Sequence, residues 1–311
     1  MRGFLNIDKP VGITSFDVVR AIRRASRVKR VGHAGTLDPL ASGVLPVAVG
    51  DATRLIDALV NARKTYRAEV TLGIETTTDD AEGEPTTLVP PETVAALSTE
   101  AIEQALATFL GETMQTPPAF SAIKRDGQPA YRAARRGEPL ELAARPATAH
   151  ALRLIARDGS RCVIEVECAK GYYVRALARD LGRVLGVGGH ITALRRTQVG
   201  PFRAERAIPL ALAVARLEAG EVEGLLHAPD AVLVGWPVIL LDDAALSDVR
   251  IGRVVHPEPR VEAPPEPGIL ARAYASDGVL AAITEHRGGW EWQPVRVFAT
   301  ENAQPSSPRP V

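Results

Sequence analysis

An α+β fold is predicted for this chain of 311 residues. Three observations carry the prediction. Stretches in which polar and apolar residues alternate, such as Lys64–Leu72 and Arg161–Cys168, read as half-buried strands. Elsewhere, the stretch that follows Thr14, about Thr99 to Leu110, and the stretch from Arg175 to the stop at Gly186 carry apolar residues three and four apart, the mark of amphipathic helices. From Trp236 onward the texture changes to short strands, glycine turns and a proline-rich loop, as expected of a small β-rich unit after a large mixed one. The length supports that division. With 46% hydrophobic and 24% charged residues the composition is that of an ordinary globular protein. No apolar run approaches a membrane span, so no membrane association is expected. The opening MRGFLNIDKP has no apolar signal core, so the expected location is the cytoplasm.

Taken in order, residues 3–10 read as a strand that ends in the turn Lys9-Pro10-Val11-Gly12. Thr14 and Asp17 have capping-box spacing and start a helix. Val18, Val19, Ile22 and Ala25 form its apolar face. Arg20, Arg23, Arg24 and Arg27 lie opposite, and Lys29 and Arg30 follow. A basic run is ordinarily a solvated face. Six bases with no acid among them, leading into a glycine-rich loop, favour phosphate contact here. The loop itself, residues 32–46, holds three glycines and two prolines. Asp38 is its one acid, and Pro39 turns it away from helical geometry. Such a loop either presents Asp38 in one fixed pose or is a plain turn whose Asp bonds its own backbone.

Residues 44–49 read as a buried strand, and Asp51 as the cap of a helix reaching about residue 61. In Lys64–Leu72, Tyr66, Ala68, Val70 and Leu72 share a face, and period alone makes Tyr66 a core aromatic. TTTDDAEGEP (76–85) is a turn-rich loop whose acids are expected in solvent. Gly111 ends the helix of residues 99–110. Residues 115–137 break regular periodicity. There Lys124, Arg125, Arg132, Arg135 and Arg136 surround Phe120 and Tyr131, which suits an RNA-gripping segment better than an ordinary loop.

Cys162, Ile164, Val166 and Cys168 line one side of Arg161–Cys168. The cysteines, about 20 Å apart along the strand, are expected as buried thiols, not a disulfide. Leu177, Leu181 and Leu185 bury the next helix, and Arg175, Arg179 and Arg183 form a basic stripe along it. Asp180 is expected to pair with an arginine. Residues 188–202 return as a strand, with Arg195 and Arg196 expected to reach phosphates, and 205–235 form amphipathic helical segments. In the C-terminal part a helix is expected over 243–252, a Pro-rich loop over 256–268, and strands over 269–276, 279–286 and 290–298. Asp277-Gly278 and Gly288-Gly289 mark the turns. The Pro/Ser-rich tail, 301–311, is expected to be disordered.

Zero net charge argues on its face against nucleic acid. The distribution changes that. Residues 1–200 hold 27 Lys+Arg against 22 Asp+Glu, and residues 201–311 hold 10 against 15. The first fifty residues alone carry 8 basic and 3 acidic side chains. The polyanion-binding face therefore belongs to the N-terminal part. No Cys/His spacing suggests a metal.

GHAGTLDPLASGVLPVAVGDATR (32–54) resembles the catalytic motif of the TruB family of tRNA pseudouridine synthases. FLNIDKPVGITS, ARKTYRAEVTLG and KGYYVRALARDLG resemble that family's further motifs and fall in the family's order. QTPPAFSAIKRDGQPAYRAARRG resembles its thumb insertion. The resemblance covers roughly residues 1–235. It implies a pseudouridine-synthase-type domain over 1–235, with a central antiparallel-rich mixed sheet flanked by helices and a cleft across it. The thumb would occupy 115–140, and a small PUA-like β-rich domain 236–300. It makes Asp38 the essential acid, sets Arg175 opposite it, and stacks Tyr66 on the target base. Tyr173 would pack in the site, Leu194 would line the base pocket, and His33 would fill the space a flipped base leaves. Lys9, Lys64, Lys124, Arg132 and Arg196 are candidate substrate-binding bases.

The implied reaction converts uridine 55 in the T arm of tRNA. It breaks the uracil–ribose bond, turns the base and rejoins it through C5, after the base has been flipped out of the folded loop. A carboxylate can serve as nucleophile or as base in this chemistry. No cofactor is expected. The T stem-loop is the expected partner, with no obligatory protein partner and a monomeric state, since no heptad or large apolar stripe is evident. Two rival readings are a non-catalytic tRNA-binding or tRNA-folding protein and a retaining glycosidase. The first needs no such triad, and the second needs a pair of carboxylates about 5 Å apart.

Overall fold

The computed structural model describes residues 1–121, 123–125, 128–138, 140–257 and 265–298; of residues 124, 125, 129 and 135 only the backbone is included. Asp126 and Gly127 of the irregular 115–137 stretch, residues 258–264 of the Pro-rich loop and the tail lie outside the described residues. The first half contains β1 (Gly3–Lys9), α1 (Ser15–Ser26), β2 (Val31–His33), β3 (Ala41–Val49), α2 (Ile56–Val60), β4 (Lys64–Leu72), β5 (Ile74–Thr76), β6 (Pro85–Leu88), α3 (Pro91–Ala95), α4 (Thr99–Ala107) and β7 (Gly111–Gln115). Then come β8 (Lys124–Arg125), β9 (Gln128–Pro129), α5 (Ala130–Arg135), β10 (Arg145–Asp158), β11 (Arg161–Cys168), α6 (Val174–Val184) and β12 (Gly189–Val199). The chain ends with β13 (Phe202–Arg203), β14 (Ile208–Pro209), α7 (Leu210–Glu218), β15 (Val238–Leu240), α8 (Asp243–Arg250), β16 (Leu270–Tyr274), β17 (Leu280–Gly288) and β18 (Glu291–Val297).

One mixed sheet dominates. Its order is β14-β1-β3-β12-β4-β11-β10-β7, with β2 added to β3 and β13 to β12. Within it, among the described residues, only β1–β14 and β3–β12 pair in parallel. The expected antiparallel-rich mixed sheet is therefore the one observed.

Every residue from Val44 to Val49 on β3 is buried, which explains why that run is continuously apolar. Leu5, Ile7, Leu45 and Val47 on one face belong to a core shared with apolar residues of α1, α4, α6 and α7. On the other, Phe4, Val44 and Ala48 pack with Leu55, Leu59 and Phe202. β4 and β11 pair in register from Lys64↔Cys168 to Thr71↔Arg161, and Cys162, Ile164, Val166 and Cys168 are buried as the period requires. Both cysteines are free thiols.

Asp51 caps nothing; a 3-10 turn over Gly50–Leu55 precedes the short α2 instead of one long helix. The second sheet, β15-β16-β17-β18, has its own core of Ile239, Val249, Ala271 and Trp292. It is not detached. Leu280, Ile283 and Phe298 enter the core formed by Phe4, Leu55 and Leu59, and Arg296 Nη2 lies 3.0 Å from Asp57 on α2. Among the described residues no helix is long and apolar enough to cross a membrane.

Candidate active site

The Asp38 loop is held from several directions. α1 begins with the expected capping box, Thr14 and Asp17 each bonding the other's backbone N–H. The next residue, Ser15, is buried. Its Oγ accepts from Leu37 N (2.8 Å) and donates to Leu37 O (3.1 Å). Gly12 N donates to Pro39 O (2.8 Å), and Ala41 N to Asp38 O (3.0 Å). On the other side Arg196 donates from Nε to Val44 O (2.8 Å) and from Nη2 to Gly35 O (3.0 Å). Gly43 has φ +101°, and a Cβ there would stand 2.2 Å from Arg196 O. Only glycine lets the two backbones approach so closely.

Arg175, at the start of α6, faces this loop. Its Nη2 is 3.0 Å from Asp38 Oδ2 and donates to Phe120 O (2.9 Å). Its Nη1 meets Asp80 Oδ2 (3.3 Å) and Thr78 O (3.1 Å). The Arg175 side chain is 6% exposed and that of Asp38 is 41% exposed. The acid therefore stays open to a ligand while its partner is locked in place. Four acceptors around one guanidinium exploit a planar fork that an ammonium cannot copy.

The acids of the 76–85 loop, expected in solvent, are buried at Asp79 and Asp80. Thr76 Oγ1 donates to Asp80 O (2.7 Å), and Thr78 Oγ1 donates to the Asp80 carboxylate. The arginine stripe of α6 is correspondingly no free basic face. Arg179 meets Asp79 (2.8 Å) and Asp180 (2.8 Å) and donates to Thr116 O (2.8 Å); Arg183 meets Glu75 (3.0 Å). The physical reason is reciprocal. A loop that packs on an arginine-bearing helix can bury acids only by pairing them. Burial pushes the Asp79 carboxyl above its usual range, against the pull of Arg179.

Tyr66 stands opposite Arg196 in the β4–β12 register and is half-buried. Burial pushes its phenol up, against the nearby Arg196 cation. Leu194, 8% exposed, lies opposite Ala41 and Ala68. Tyr173 precedes α6, and its backbone is clasped by Gln115 (2.8 and 3.0 Å). Arg145 donates to Tyr173 Oη (3.2 Å) with Cζ 5.4 Å from the ring centre. Next to Arg145 a cavity of about 560 Å³ opens between Pro117, Ile123 and residues 141–144. His33 is half-buried, and its Nδ1 lacks a partner among the described residues. Burial, then Arg196, lowers its pKa, so the imidazole is neutral at neutral pH.

Three of the candidate substrate-binding bases are placed differently from expectation. Lys9 is fully buried and donates to Pro10 O (2.8 Å) and Ile13 O (2.7 Å). Lys64, 7% exposed, donates to Val60 O (2.6 Å) and Ala62 O (2.7 Å). Arg196 is 1% exposed. The two ammonium groups donate to backbone carbonyls, and Arg196 places Nε and Nη2 on Val44 O and Gly35 O, so all three brace the Asp38 loop and its surroundings from inside. Burial lowers Lys9 and Lys64 to about 8 each. Arg195 meets Asp8 at 2.8 Å. Arg132 on α5 is exposed; Lys124 sits on β8, and its side chain lies outside the described residues.

Sequence reasoning missed Asp80, the second acid to share Arg175. The available signal was the stripe itself, because arginines at four-residue spacing beside Leu177 and Leu181 need carboxylate partners if the helix is buried. The Asp80 side chain is 4% exposed and turned to Arg175, so it does not supply the facing carboxylate pair of a retaining glycosidase.

Residues 23–174 match the family model of the TruB family pseudouridylate synthase N-terminal domain, and 175–223 that of the tRNA pseudouridylate synthase B C-terminal domain. The tRNA pseudouridine synthase B of Aromatoleum aromaticum is 43% identical over 96% of this chain and 93% of its own. That of Arthrobacter sp. strain FB24 is 42% identical over 98% and 99%. Among solved structures, an H/ACA ribonucleoprotein bound to a substrate RNA containing 2′-deoxyuridine includes a chain with TM-score 0.73 and 25% identity, covering 96% of this chain and 86% of that one. A chain of the archaeal box H/ACA Nop10–Cbf5 complex gives TM-score 0.72 and 25% identity, covering 96% and 87%. With this site geometry and these full-length relatives, the chain belongs to the TruB family of pseudouridylate synthases.

Proposed function

We infer that this protein isomerises uridine to pseudouridine in tRNA. The observation that carries the reading is the exposed Asp38 carboxylate held 3.0 Å from a buried Arg175, in a chain 43% identical to a tRNA pseudouridine synthase B. The target in this reading is uridine 55 of the T arm. Asp38 attacks the ribose or removes a proton from it as the N1–C1′ bond breaks. The freed uracil turns, C5 joins C1′ as Asp38 releases the ribose or returns its proton, and the C5 proton leaves to solvent while N1 takes one up, so the product is an isomer of the substrate. Tyr66 stacks on the base and Leu194 closes the pocket. Tyr173 packs beside them, and neutral His33 occupies the space left by the flipped base.

Residues 1–235 form the catalytic unit in this reading. Residues 115–140, with Arg132 and Lys124, grip the T stem-loop, and 236–300 form the appended β unit. The enzyme works in the cytoplasm as a monomer, without a cofactor or an obligatory protein partner. The buried bases Lys9, Lys64 and Arg196 support the loop that the substrate meets.

The test is tritium release from tRNA labelled at uridine C5, for the native chain and for Asp38→Asn, with tRNA binding measured alongside. Release by the native chain that vanishes in the variant while binding persists is the expected result. A native chain that binds tRNA and releases nothing leaves only the binding or folding role.

A further inference from the structure

We propose that the exposed face of α1 is a second RNA-docking surface, on which Phe16 stacks a base next to the target and the arginines beyond it track the phosphates. The proposal rests on the reading of tRNA as substrate and adds a site that the catalytic description does not use.

The geometry begins with spacing. Phe16, Arg20, Arg23 and Arg24 fall at i, i+4, i+7 and i+8, one face of the helix, and Arg27 is its left-handed C-cap. The opposite face, Val18, Val19, Ile22 and Ala25, is buried in the main core. Phe16 is 59% exposed, and the Arg20 side chain is 70% exposed. A single exposed phenylalanine means little by itself. Its position makes the difference. Ser15, its neighbour, holds both polar groups of the Leu37 backbone, and Leu37 immediately precedes Asp38. Gly12, on the turn before α1, holds Pro39. Phe16 is therefore built onto the anchor of the catalytic loop. Val11, on the same turn as Gly12, is 63% exposed.

The charges fit the same ligand. Arg20 Cζ lies 6.0 Å from the Phe16 ring centre, and the side chain also pairs with Asp17. Arg23 Nη2 donates to Val31 O (3.1 Å) and remains exposed. Arg24 and Arg27 are exposed, and among the described residues neither has a carboxylate within ion-pair distance. Lys29 and Arg30, also exposed, continue the patch. The helix of 12 residues carries this charge about 18 Å away from the Asp38 loop. A protein partner would have to neutralise up to six bases. A polynucleotide does so along its backbone and offers π-faces for the ring at one end.

The experiment compares the native chain with Phe16→Ala, Phe16→Tyr, Phe16→Leu and the double variant Arg24→Gln/Arg27→Gln. It measures binding of full-length tRNA and of a T-arm hairpin across a salt series, together with KM and kcat for pseudouridine formation. Thermal melts confirm folding, which substitutions at these exposed positions leave intact. Phe16→Ala is expected to weaken RNA binding about 10-fold and to act on KM more than on kcat. Phe16→Tyr should restore affinity and Phe16→Leu should not, which separates stacking from apolar contact. The double variant should flatten the dependence of log Kd on log salt by about 1.5, the share of two phosphates. Native affinity and KM in Phe16→Ala, equal rescue by Leu and Tyr, or an unchanged salt slope in the double variant would each overturn the proposal. A native chain that forms no pseudouridine would instead overturn the functional reading beneath it.

Discussion

Replacing Arg175 by lysine keeps the charge and removes the fork. In the native chain one guanidinium serves Asp38 (3.0 Å), Asp80 (3.3 Å), Thr78 O (3.1 Å) and Phe120 O (2.9 Å). A lysine ammonium is one compact donor group on a shorter reach, and it can serve one end of that cluster. Losing one charge-assisted bond, at about 1.5–3 kcal/mol, and one carbonyl bond, at about 1 kcal/mol, costs about 2.5–4 kcal/mol. That is a large part of the roughly 5–15 kcal/mol by which a folded protein is stable. The Asp38 carboxylate also loses its fixed partner, and misplacement by about 1 Å is enough for about a 100-fold loss of rate. Arg175→Lys should therefore remain folded, with a clearly lower urea midpoint and a single-turnover rate of tritium release at least about 100-fold below native. A double-mutant cycle with Asp80→Asn should be strongly non-additive, because both substitutions break the same cluster. A lysine variant with native midpoint and native rate would refute the argument that the fork, not the charge, is what the site needs.

Other consequences follow from burial. Gly43→Ala should lose about 2–4 kcal/mol of stability, since its φ is positive and the new Cβ would meet Arg196 O at 2.2 Å; equilibrium denaturation reads this directly, and a neutral result would contradict the packing. Lys64 is lowered to about 8 in the folded chain from an ordinary value of 10.5, burial being the main cause. The unfolded chain thus holds the proton more tightly between those values, and this group's contribution to stability rises with pH from about 8 to 10.5. The stability difference between native and Lys64→Met should widen over that window, and a pH-independent difference would count against the assignment. Cys162 and Cys168 are buried with their thiols pushed up, Cys168 to about 12, so neither should react with a thiol reagent until the chain unfolds. Rapid labelling of the native protein would show that the β4–β11 region opens.

The features legible from sequence alone were those that depend on neighbours along the chain. The capping box of Thr14 and Asp17, the period-two strands Lys64–Leu72 and Arg161–Cys168, and the glycine loop around Asp38 are local patterns, and each was found where expected. The motif order by itself links Asp38, Tyr66 and Arg175. What tertiary structure decided was the fate of the charges. Lys9, Lys64 and Arg196 are candidate substrate-binding bases in the sequence, and each is buried with carbonyls from its own neighbourhood or from a strand about 150 residues away. Asp79 and Asp80 read as solvated acids and became partners of Arg179 and Arg175 across about 100 residues of chain. The bases of α1, identical in kind, stayed on the surface. Residue type determines that a charge must be solvated or paired; only the packing of distant segments determines which of the two it is.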